Sequence, residues 1–187
     1  MDKLSEILYD YSRNYFRNQD DLERLVGPVE ASGSEGFRIL LAMAKMSKAD
    51  YRGAIDIVAS TTGVPFAESG QLLLYRIWGD ALIALAEQTD HSAAKIELLQ
   101  EAARKYAEII RIKPDQHQVL YNWSVALGRL AALHDGADRE ALLEEAARKY
   151  ARAMEIEPGR HEGFNDPANG FAGPAGVGQG PDGGPGW

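Results

Sequence analysis

Cysteine is absent from all 187 residues, which removes disulfides, thiolate nucleophiles and cysteine-ligated zinc together. Basic residues are outnumbered: 20 Lys and Arg face 28 Asp and Glu, a formal charge of −8. Binding a nucleic-acid backbone or an anionic lipid surface needs clustered cations, so neither is expected as the main partner. No apolar run reaches the roughly 18 residues that a membrane span requires, so no membrane partner is expected. The opening Met1-Asp2-Lys3-Leu4-Ser5-Glu6 turns acidic at once and does not read as a secretory signal. No segment alternates apolar and polar residues as a half-buried strand would. What remains is an all-α protein, expected in the cytoplasm, with 45% hydrophobic residues available for its core.

The strongest positive signal is repetition. Glu101-Ala102-Ala103-Arg104-Lys105-Tyr106-Ala107 returns 44 positions later as Glu145-Ala146-Ala147-Arg148-Lys149-Tyr150-Ala151. Pro114 returns as Pro158 and His117 as His161 at the same shift, and Trp78 returns as Trp123 at 45. A period between about 20 and 50 residues is the mark of a stacked repeat architecture, which usually serves to hold other molecules.

Helical periodicity places the elements. Leu4, Ile7, Leu8, Tyr11, Tyr15 and Phe16 predict an apolar face over 2–17, and a short helix over 20–26 stops at Gly27-Pro28. Together these make an N-terminal helical segment over 1–30, followed by a linker at 31–36. A helical hairpin is expected over 37–64, turning near residues 47–50 and broken by Thr61-Thr62-Gly63-Val64-Pro65. Further helices are expected at about 69–88, 92–112, 116–133 and 138–156. Asp90 and Asp138 are expected as N-caps, and Gly136 as a corner. The crowded Gly and Pro from 165 to 187 predict a flexible tail.

Tyr121-Asn122-Trp123-Ser124-Val125-Ala126-Leu127, then Ala146, Tyr150, Ala153 and Pro158, resemble the tetratricopeptide repeat. The earlier copy matches through Tyr75, Trp78, Gly79, Leu82, Ala102, Tyr106 and Pro114, with Ile109 at a position where Ala is usual. Small residues at these positions let two helices cross closely. Leu41, Ala42, Asp50-Tyr51, Ala54 and Ile55 fit a degenerate copy, so the expected organisation is a hairpin at 37–64 and two long repeats over 69–160. Each long copy exceeds the family's period by about ten residues, with the excess assigned to the hairpin corner. Lengthened repeats of this sort resemble those of the plant mitochondrial import receptor. A third copy begins at His161, with Phe164 and Phe171 in phase, but Pro167 stands at the place of Trp123 and aborts it within 161–187.

The resemblance implies a short helical-hairpin solenoid, an interaction module or adaptor, in which the first helix of each hairpin lines a concave groove. By phase, Leu73, Arg76, Asp80 and Ile83 would face the groove from one repeat, and Gln118, Tyr121, Asn122, Val125 and Arg129 from the next. Asn122 would bond peptide backbone and Arg76 would supply a charge-assisted bond. A clamp for a C-terminal carboxylate, known in this family, is not expected. Asp80 stands where that clamp needs an Asn, and Glu162 and Asp166 stand where it needs cations. Trp78 and Trp123 are expected as core, and Glu101–Lys105 and Glu145–Lys149 as solvated surface pairs. No nucleophile–base pattern occurs, and no two histidines lie three or four apart, so neither catalysis nor a metal or other cofactor is expected. The expected partner is a protein or peptide. The alternative is structural: homo-oligomer assembly through the broken third repeat, where Leu142, Leu143 and Ala147 need cover.

Overall fold

The computed structural model describes residues 35–61 and 67–158. The expected helices at 2–17 and 20–26, most of the linker, the break after Thr61, the aborted third copy and the tail lie outside the described residues. Six helices and no strand occupy the described residues: α1 Glu35–Ser47, α2 Tyr51–Ala59, α3 Glu68–Glu87, α4 Ser92–Ile112, α5 His117–Ala131 and α6 Gly136–Ile156. The fold is all-α. They fall into two compact units, one ending at Pro114 and the other beginning at Asp115.

In the first unit, α1 carries Ile39, Ala42, Met43 and Met46 at helical spacing, and all four are buried. After Ser47 the chain reverses in three residues, with Ala49 in the left-handed region at φ 56°. Asp50 then starts α2: its carboxylate accepts from the Gly53 amide at 3.0 Å and from Lys45 Nζ at 2.8 Å. This satisfies one of the open amides of the first turn and ties α2 back to α1. Ala54 and Val58 of α2 join the α1 residues, and α3 completes the same core with Leu74, Ile77 and Ala81.

The 20-residue α3 then pairs with the 21-residue α4, and the pair is antiparallel. Glu68 at the start of α3 lies 3.8 Å from Lys113, just past the end of α4. Leu99, Ala102, Tyr106 and Ile109 recur at intervals of three and four and form the buried face of α4.

The second unit repeats this construction with α5 and α6. His117, which opens α5, lies 3.2 Å from Glu157 beyond the end of α6. Gly136 turns the corner at φ +59°, with nothing within 4 Å of the position a Cβ would take. That glycine is required by backbone conformation alone.

Two expectations are corrected. Asp90 and Asp138 do not cap: His91 occupies the N-cap of α4 and Asp135 that of α6, and neither makes a side-chain cap bond. Asp90 falls one residue too early. Asp138 falls inside the first turn, where it interacts with the helix dipole and makes no cap bond. The extra length of each repeat is helix: only residues 88–91 and 132–135 separate the paired helices.

Candidate functional site

The face of α3 that phase assigned to a groove carries Leu73, Arg76, Asp80 and Ile83, all partly buried. Leu73 packs against the α1–α2–α3 core. The carboxylate of Asp80 accepts a hydrogen bond from the Tyr106 hydroxyl at 2.6 Å, which joins α3 to α4. The Nε of Arg76 is buried and has no hydrogen-bond acceptor among the described residues.

The corresponding face of α5 carries Gln118, Asn122 and Arg129 partly buried, with Tyr121 and Val125 only 4% and 7% exposed. The Tyr121 ring lies 6.2 Å from that of Tyr150, tilted by 54°. Burial pushes the Tyr121 phenol above its ordinary pKa and Tyr150 adds to this, while Arg129 opposes it. Each set therefore shares one helix face within its own unit. Tyr121 and Val125 contribute packing more than open surface.

Reading the sequence by spacing missed a contact that recurs in both repeats. Lys105 Nζ lies 3.6 Å from the centre of the Trp78 ring, and Lys149 Nζ lies 3.7 Å from that of Trp123. The Lys105 side chain is only 18% exposed and also holds Glu101 at 2.8 Å, while Lys149 lies 3.7 Å from Glu145. The expected Glu–Lys pairs are therefore present but less solvated than expected, because each lysine also lies over a Trp ring as a cation–π contact. Glu101 reflects the arrangement. Burial pushes its carboxyl up, but hydrogen bonds from Lys105 and Arg104, with their charge, hold it below the usual value. The available signal was the co-recurrence of Trp and Lys at nearly constant separation. Among the described residues no group of three His, Asp or Glu side chains could hold a metal ion. No described helix is long and apolar enough to cross a membrane.

This geometry defines a class: an all-helical protein in which two long antiparallel hairpins, α3–α4 and α5–α6, are each closed by the same Trp–Lys–Glu contact. The comparison with known families is narrower. Residues 70–161, a little under half of the chain, match the model of the plant specific mitochondrial import receptor subunit TOM20. No curated protein and no solved structure matches. The matched stretch opens in the first turn of α3 and closes beyond α6, so it coincides with the two long repeats. It supports the resemblance to the import receptor, and the tetratricopeptide assignment stays a resemblance. The expected cytoplasmic location is overturned, because the matched family is one of mitochondrial receptors.

Proposed function

We propose that this chain is a non-enzymatic receptor module that holds a peptide or helical segment of another protein, in the manner of a mitochondrial import receptor. One observation carries the reading: the family match and the internal repeat delimit the same four helices, α3 to α6. The charge of −8 suits a cationic ligand, and targeting segments for mitochondria are amphipathic, Arg-rich and poor in acid. On this reading, in the first unit Arg76 donates a charge-assisted bond to the ligand and Ile83 meets an apolar side chain; in the second unit Asn122 bonds ligand backbone, and Gln118 and Arg129 add polar contacts. Asp80, already held by Tyr106, supplies fixed negative charge. Tyr121, Val125 and Leu73 shape the faces from beneath.

The test is fluorescence anisotropy of the full chain with a labelled Arg-rich amphipathic peptide and its acidic counterpart. Preferential binding of the basic peptide, weakened several-fold by Arg76→Ala or Asn122→Ala with helicity unchanged, is expected. No binding to folded protein at about 100 µM, well beyond useful affinity, would remove the reading. Binding indifferent to both substitutions would place the site elsewhere.

A further inference from the structure

Leu143, at 42%, is the one large apolar side chain exposed among the described residues. It leads a stripe on α6, continued by Ala147 and Ala151, which are exposed as well. The positions one repeat earlier on α4 are covered: Leu99 is 1% exposed, and Ala103 and Ala107 are partly buried. The sequence repeats the face that α4 buries, and α6 presents it to solvent.

A second stripe runs alongside, four residues apart at each step: Glu140, Glu144, Arg148, Arg152, all exposed. Its charge order is acid, acid, base, base along the helix. Such an order is self-complementary only when the helix meets its own copy running the opposite way. A two-fold axis near residue 146 sets Glu144 against the partner's Arg148, twice; Arg152, about half a turn around the helix from Leu143, lies outside that contact. The same operation lays Leu143 across the partner's alanine stripe. Alanines permit close approach of the two backbones. The equivalent positions on α4 read Ile96, Gln100, Arg104, Glu108, which lack this order. Within its own chain Arg148 reaches Glu144 only at 3.9 Å, with both side chains largely exposed. Arg152 is already engaged by Asp115 at 2.8 Å and Glu155 at 2.9 Å. The Glu144 and Arg148 pairs therefore carry most of the specificity.

We infer that the outer face of α6 is a homodimer interface, in which two copies of this chain pair their last described helices antiparallel. This surface shares no residue with the faces proposed to hold a ligand, and the inference does not depend on that reading. One apolar side chain and two alanines per copy make a small contact, so the dimer is weak and salt-sensitive.

Sedimentation equilibrium of the full chain tests it, over about 1 to 200 µM at low and high salt. A monomer–dimer transition is expected, weakened at least about ten-fold by Leu143→Glu. Glu144→Arg and Arg148→Glu each place like charges in opposition and weaken self-association comparably, by about ten-fold. Mixing those two variants restores dimers, because one copy is then basic at both positions and the other acidic. All three positions are exposed; helicity is verified by circular dichroism, and Leu143→Ala serves where Leu143→Glu perturbs it. A monomer throughout the range overturns the inference. So does a dimer indifferent to these substitutions, or a mixture of reversed variants that stays monomeric.

Discussion

At Gly79 the absence of a side chain decides how two helices meet. A Cβ there would come within 2.7 Å of two ring carbons of Tyr106. Tyr106 cannot retreat easily, since it is fully buried and its hydroxyl is held by Asp80 at 2.6 Å. The second repeat has Ser124 and Val125 at these two positions, so both the gap and the acceptor are replaced. Its Tyr150 stays partly exposed and lies against Tyr121, while the Ser124 hydroxyl bonds back to the Tyr121 carbonyl at 2.7 Å. Gly79→Ala is therefore expected to destabilise the first unit by about 1–3 kcal/mol through overpacking. This is opposed by about 1 kcal/mol of improved helix propensity. Urea denaturation reads the balance. A variant as stable as the parent would mean that Tyr106 has room that the geometry denies it.

At the scale of elements, the α1–α2 corner depends on one carboxylate. The hydrogen bond from Lys45, followed by that from the Gly53 amide, holds the Asp50 carboxyl below its ordinary pKa of 3.8. A carboxylate with a depressed folded pKa stabilises at neutral pH, and that contribution disappears as pH falls through the folded value. Stability is thus expected to drop between pH 5 and about pH 3 more steeply in the parent than in Asp50→Asn, which has no carboxyl to protonate. Equal slopes in urea titrations at the two ends of that window would exclude this role. The corner also marks how far the sequence could be read. The extents of α3 and α4 were legible because amphipathic spacing and Pro114 are local signals. The Gly136 corner was legible for the same reason. The caps were not, because Asp90 stands one residue before the N-cap His91 and Asp138 three residues after the N-cap Asp135, which puts both carboxylates out of register. The faces of the candidate site followed from repeat phase. The burial of Tyr121 and the approach of Lys105 to Trp78 did not, since both depend on what packs against them.

For the whole molecule, the stretch that matches a family is smaller than the stretch that folds. A chain beginning at residue 67 keeps α3 to α6 and every matched position described, yet it loses α1 and α2. Leu74, Ile77 and Ala81 would then lose their cover from Ile39, Met43, Met46, Ala54 and Val58. Burial of a Leu or Ile side chain is worth about 1.5–3 kcal/mol, so this exposure costs several kcal/mol. A domain's entire stability is about 5–15 kcal/mol. The fragment is expected to lose cooperative melting of its first hairpin or to self-associate through the bared face. Circular dichroism melting with sedimentation of both forms checks this, and a fragment as stable and monodisperse as the parent would refute it. The consequence reaches the candidate site. Leu73 packs on that same core, one turn from Arg76, so removing α1 and α2 frees the helix that holds Arg76 in place. Ligand affinity in the fragment should therefore fall even though none of the candidate groove residues is deleted. That outcome would make the unmatched N-terminal hairpin part of the rigid support of the candidate site.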